Sequence, residues 1–341
     1  MPLLIIALGI AVLLLLIIRF KFNAFIALIL VAMGVGVAMG MTPGEAVAAI
    51  QKGVGDTLGS LALILGFGAM LGAMIAESGA AKVISQRLIQ AFGINRIAWA
   101  MVLTGFIIGV PMFFSVGFLV IIPIIYSVAK ETKLPLLYVG IPMVAALSVT
   151  HGFLPPHPAP ATIVGFFKAD MQLTLLYGLA LAIPTIILSG VIFGKTFRRF
   201  ETTFPEHLFK MKENENGRLP SFGLSVFTAL IPVILMALGG VAKLTLAEGH
   251  LITQALNFLG DPVISLLLAV LIAVWTLGIH QGRRLGDVMN SLTDSVKPIA
   301  IIILLLGGGG AFKEVLVQSG ISNYIVEGMQ GIDIPPLVMA W

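Results

Sequence analysis

Two of the chain's five histidines, His151 and His157, stand six residues apart in one unusual stretch, residues 148–160, SVTHGFLPPHPAP. Histidine changes charge near neutral pH, so a close pair is suited to carrying a proton. An apolar helix beginning at Leu136 runs into Gly152, Pro155, Pro156, Pro158 and Pro160. Each proline removes an amide donor, so the helix cannot continue. Unwound backbone there exposes carbonyls and amides, with Ser148, Thr150, His151 and His157 at one depth. Such groups can replace water around a small polar solute. The plain alternative is a proline-rich surface turn whose histidines are satisfied locally.

A second break is spelled at residues 109–117, GVPMFFSVG, where Gly109, Pro111 and Gly117 interrupt an apolar run. Its one polar side chain is Ser115. A helix starting near Ser115 presents free amides, and a helix N-terminus carries roughly half a positive charge that favours a carboxylate. The alternative is a glycine-proline hinge used only for packing. No Lys or Arg lies deep inside an expected span, so an anion would be held by helix ends, hydroxyls and histidine.

Other chemistries are poorly served. The chain has no cysteine, hence no disulfide, thiolate nucleophile or cysteine zinc site. A metalloenzyme would need His151 and His157 with His280. No carboxylate stands beside the clustered pair and no H-E-x-x-H occurs, so no catalytic or metal-ligating residue is assigned. Asp56 and Glu77 fall near span ends and read as interfacial. The Gly307–Gly310 run lacks the Lys-Ser/Thr of a phosphate loop. The 15 methionines and 21 phenylalanines are assigned no role.

The elements that must position these residues follow from composition. Of 341 residues, 58% are hydrophobic and 11% charged, with a mean hydropathy of +1.07. Soluble domains carry about a quarter charged residues. Water-soluble enzymes, disordered tails and nucleic-acid binders are excluded, and the surface partner is the lipid bilayer. About 20 apolar residues cross a membrane. Candidate stretches are 2–18, 23–41, 57–77, 97–128, 134–154, 172–194, 221–242, 261–280 and 298–312. The first reads as a retained span, not a signal peptide, because Arg19 and Lys21 follow it.

Residues 97–128 are too long for one crossing and too short for two. Two half-length arms meeting at a tip make a re-entrant hairpin, which needs shelter by protein or a water-filled cavity. Charge placement tests this. With a hairpin, 16 of the 20 basic residues fall on one side, which the positive-inside rule makes cytoplasmic, and the N-terminus is periplasmic. A single crossing divides them 8 to 12. Omitting the six in the long linker still leaves 10 to 4.

An internal repeat is also legible. A shift of 238 aligns 23–58 with 261–296, pairing Gly40 with Gly278, Gly44 with Gly282 and Asp56 with Asp294. A shift of 241 pairs Gly66 with Gly307 and Ser78-Gly79 with Ser319-Gly320. After a three-residue deletion, Gly93-Ile94 matches Gly331-Ile332. In the expected topology the copies are inverted, a recurrent plan of secondary transporters. The first repeat covers 1–195, with the hairpin at 97–128 and a broken helix at 134–170. A cytoplasmic linker covers 196–220, and an incomplete second repeat covers 221–341. By symmetry roughly 100 further residues would complete it, so the chain reads as a fragment or a degenerate member. Residues 80–92 and 321–330 read as short interfacial helices, with ordinary amphipathic loop helices as the alternative. The fold class is an all-α polytopic membrane protein, an inverted-repeat secondary transporter with a re-entrant hairpin and a broken helix.

The string SVTHGFLPPHPAP, followed by LLYGLALAIPTIILSG at 175–190, resembles the gluconate permease family of proton-coupled carboxylate transporters. LPLLYVGIPMVAALS at 134–148 and GVPMFFSVGFLVIIPI at 109–124 fit the same family, and the resemblance runs to Trp341. The family is similar to the wider ion-transporter superfamily. That implies a scaffold domain, a mobile transport domain with two opposed hairpins, homodimers and an elevator-like motion. It also implies uptake of gluconate or a related sugar acid with protons across the bacterial inner membrane, with no bound cofactor. By the same resemblance, substrate contact falls on Ser115, Val116 and Gly117 and on Thr150, His151 and His157. From imidazole chemistry, the proton carrier is His151 or His157. Some relatives carry an acidic residue at the tip, where Ser115 is neutral. A passive channel or a non-transporting membrane subunit is the rival reading.

Overall fold

The computed structural model describes residues 2–200, 218–247, 249–322 and 324. Its elements are helical: α1 Pro2–Leu14, α2 Ala24–Ala38, α3 Pro43–Glu77, α4 Ala80–Phe92, α5 Ile97–Gly109, α6 Phe114–Thr132, α7 Leu136–Phe153, α8 Pro158–Phe167, α9 Met171–Ile186, α10 Phe222–Thr245, α11 Leu251–Leu259, α12 Pro262–Ala273, α13 Leu285–Val296 and α14 Ala300–Gln318. Among the described residues, eight helical segments are long and apolar enough to cross a membrane. The chain is therefore an all-α, multi-pass membrane protein. Its exposed Leu, Ile and Phe side chains are what lipid contact requires.

Helix starts follow the local chemistry. The Asn23 side chain accepts from the amides of Phe25 and Ile26, and Asp261 does the same for Val263 and Ile264. These two caps are partners under the 238-residue shift. The 241-residue shift pairs Gly79 with Gly320, and both are left-handed, with φ of 78° and 80°. Helix α3 begins earlier than hydropathy indicates. Thr42 and Glu45 form a reciprocal capping box, and the helix runs 35 residues to Glu77. The polar residues Lys52, Asp56 and Thr57 dilute hydropathy there without breaking the helix.

The chain packs as two compact units, one made of the chain to Ser60 with the chain from Ala300, the other of Leu61–Ile299. In the first, α2 packs on α14 around Ala32, Ala49, Ile50, Ala311 and Val315. Lys52 bridges Glu314 at 2.8 Å beside the close approach of Gly53 to Gly310. The second holds the larger core, including Leu71, Met74, Met101, Ile108, Met143 and Leu147.

Within that second unit, contact order fixes helix direction. Gly105 of α5 lies against Met143, and Gly109 against Leu147 and Thr150, so α5 runs parallel to α7. Gly117 of α6 lies against Leu147, and Ile125 against Gly140, so α6 runs antiparallel to it. The chain therefore reverses at 110–113, as the glycine-proline break requires. The two arms differ in length. Helix α5 has 13 residues, about 20 Å, whereas α6 has 19, about 28 Å and enough to cross alone. The second arm is thus longer than the expected half-length helix; it runs past residue 128 to Thr132, with Pro123 inside it.

Helix α4 meets the Ile94–Gly109 segment at 107°. It therefore lies across the direction of α5, as an interfacial helix would, and buries Ala80, Ala81, Ile84 and Leu88. The matching 321–330 segment falls almost wholly outside the described residues.

Candidate functional site

The hairpin tip and the proline-ruptured helix meet. Helix α7 ends at Phe153, the chain is irregular from Leu154 to His157, and α8 resumes at Pro158. Gly152 lies in the last turn of α7, just ahead of the break, and the Pro155–Pro156 peptide within it is cis. The whole lies inside one 32-residue span candidate, Leu136–Phe167. Because α5 runs parallel to α7, both helices end at the same level, which brings Gly109 to the break.

His157 is 4% exposed, and its Nε2 lies 3.0 Å from the Gly109 carbonyl oxygen. A carbonyl only accepts, so Nε2 carries the proton. The Phe114 amide, first of α6, donates to Nδ1 of His151 at 3.3 Å. That nitrogen is therefore bare. The two imidazoles face each other with centroids 4.9 Å apart. Phe113 sets an edge against His157 at 6.4 Å, and Phe114 lies 6.2 Å from His151 while stacking on Phe118.

Thr150 is buried and donates to the Leu147 carbonyl at 2.8 Å, so its hydroxyl serves the helix. The structure thus gathers Gly109, Thr150, His151 and His157 at one point. Gly117 packs on Leu147 and Met112, one turn into α6. Pro111 is buried in the tip. Ser115 and Ser148 are exposed, and Val116 is half-buried. His280 is exposed in the turn Ile279–Gln281. Among the described residues, no group of three or more His, Asp or Glu side chains is placed to share a metal ion.

The first amides of a helix have no partner within it. In α6, Phe114 gives its amide to His151 and Gly117 to the Phe113 carbonyl. The amides of Ser115 and Val116 stand between them, at the positive end of the helix. In α8, Pro158 and Pro160 have no amide, so that helix start is poor in donors. Anion-binding capacity therefore belongs to α6.

Phe113, Phe114 and Gly105 belong to this assembly and carried no legible signal as single letters. A Cβ on Gly105 would stand 2.3 Å from the Met143 carbonyl oxygen, so only glycine allows α5 this close to α7.

Two broken helical elements meeting at a buried and a half-buried histidine, inside a multi-pass bundle, fit the architecture of a membrane transporter. The chain belongs to the GntP permease family, whose model matches residues 1–341. It is 51% identical to a high-affinity gluconate transporter of Escherichia coli strain K12, over all of this chain and 78% of that protein. It is 49% identical to the Gnt-II system L-idonate transporter of the same strain, with the same coverage. It is also 42% identical to a gluconate permease of Bacillus licheniformis, again over all of this chain and 78% of that protein.

Proposed function

We propose that the chain is a proton-coupled carrier that takes up gluconate or a closely related sugar acid across the bacterial inner membrane. The single observation that supports this most strongly is the convergence of the α6 N-terminus with His151 and His157. The carboxylate is held by the amides of Ser115 and Val116. Its hydroxyls bond to Ser115 and to backbone released at the break. The similarity to gluconate and L-idonate transporters supports the substrate class.

The same geometry supports a proposal for the coupling. Nδ1 of His151 is an unprotonated nitrogen at the hairpin tip, where it accepts the Phe114 amide. A proton arriving there displaces that amide and adds a positive charge beside the helix terminus, so proton and anion each favour the other's binding. One negative charge entering against 100 mV, inside negative, costs about 2.3 kcal/mol, and one accompanying proton cancels it.

The test is counterflow in proteoliposomes preloaded with unlabelled gluconate. Transient accumulation of external labelled gluconate is expected of a carrier. Simple equilibration without overshoot would mark a channel and overturn the proposal.

A further inference from the structure

At the end of α6 remote from the tip, α4 and α6 line a partly open polar cavity of ≈ 230 Å³. Its polar lining is Lys82, Ser85, Gln86 and Gln90 from α4, with Ser127 and Glu131 from α6. Lys82, Gln86 and Gln90 recur every four residues and so share one helix face. Ile124 and Val128 supply apolar wall. Phe114 and Ser127 are 13 helical positions apart, about 20 Å, so this cavity is distinct from the histidine site.

Ser85 shows that the cavity is unfinished as a protein interior. The residue is 1% exposed, and its Oγ has no hydrogen-bond partner. Buried hydroxyls are rarely left so, because water is lost without compensation. On the opposite wall the Ser127 hydroxyl donates to Glu131 at 3.0 Å, which holds that carboxylate as a hydrogen-bond acceptor.

The lining specifies an occupant. There is one cation, one carboxylate, and four neutral groups able to donate and accept. The volume lies below the roughly 300–1,000 Å³ of pockets for drug-sized ligands, so the occupant is small. A dianion such as phosphate would meet Glu131 with a single cation to offset it. A hydroxylated monocarboxylate matches better, with its carboxylate on Lys82 and its hydroxyls on Ser85, Gln86, Gln90 and Glu131. We infer that this cavity is a second binding station for the transported sugar acid, occupied on its way to or from the histidine site. The inference rests on the carrier reading above. The charge count puts this end of α6 on the cytoplasmic side, where such a station receives solute leaving the histidines.

The test counts labelled gluconate bound per purified chain in lipid nanodiscs. Wild type is expected to bind two equivalents. Lys82→Gln and Ser85→Ala should each bind one, and His151→Gln should lose the other. Ser85→Ala removes the orphaned hydroxyl without adding volume at a buried helical position, so it preserves the fold if Lys82→Gln does not. One equivalent in wild type, unchanged by Lys82→Gln and Ser85→Ala but lost in His151→Gln, overturns the second station and leaves the carrier standing. Absence of any gluconate binding overturns both.

Discussion

The His151 and His157 rings lie 4.9 Å apart, inclined by 58°, although one belongs to the last turn of α7 and the other caps α8. Only the irregular turn between the two helices permits that approach. It turns two residues six apart in sequence into one unit that shares the hairpin tip. Two charged imidazoles at this separation would repel each other, so the proposed carrier pair would take up one proton. Adding gluconate to weakly buffered, purified protein should therefore draw one proton per substrate bound. His151→Gln should draw none. Uptake of two protons would show that the rings act separately.

His157→Leu tests the link from the break to the tip. The variant fills a similar volume but leaves the Gly109 carbonyl buried without its donor. Loss of a buried partner costs about 1–3 kcal/mol. The expected outcome is a lower thermal midpoint together with uptake reduced by tenfold or more. A variant as stable and active as wild type would show that the 3.0 Å contact positions nothing.

The closeness of α5 and α7 makes Gly105 a sharp probe. Gly105→Ala drives a methyl into the Met143 carbonyl, a backbone obstacle that no rotamer change removes. Overpacking of this kind costs about 1–3 kcal/mol. Gly109→Ala meets the Thr150 hydroxyl at 2.3 Å, and adding Thr150→Ala should restore part of the loss. Gly152→Ala meets nothing within 4 Å and should fold like wild type. Thermal melts of the four proteins in detergent check this order.

Asp170 sets an acid limit on stability outside the spans. Burial raises its carboxyl pKa, but the Lys243 ammonium and the amides of Leu173 and Gln172 outweigh burial and hold it below the ordinary 3.8. The folded state then binds fewer protons than the unfolded chain in that range. This contribution is complete above about 3.8 and is lost as pH falls through the lowered value. The carboxylate is about one-third exposed, so the effect is modest. Asp170→Asn keeps an oxygen for the helix cap and should flatten the loss of melting temperature below pH 4. An unchanged acid slope would contradict the assignment.

Much of this candidate site was legible because helix breaks are written in glycine and proline. Gly109 with Pro111, and the prolines from 155 onward, announced both ruptures, and the two histidines were the ionisable groups beside them. The framing rings were not legible. Phe113 and Phe114 are two of 21 phenylalanines in an apolar chain, and nothing local separates a ring packed on imidazole from one packed on lipid. Ser85 was hidden for the opposite reason. A serine on an amphipathic helix reads as solvent-facing, and only the packing of α4 buries it. Ser115 and Ser148, singled out as polar groups near the breaks, are exposed, whereas His157 is buried and His151 half-buried.

The most direct measurement is gluconate accumulation in proteoliposomes under an imposed pH gradient, acidic outside, for wild type, His151→Gln and His157→Gln. Wild type should concentrate the sugar acid when the gradient is present and only equilibrate without it, and at least His151→Gln should lose that dependence. Full gradient-driven accumulation in both variants would contradict the histidine pair as the proton carrier.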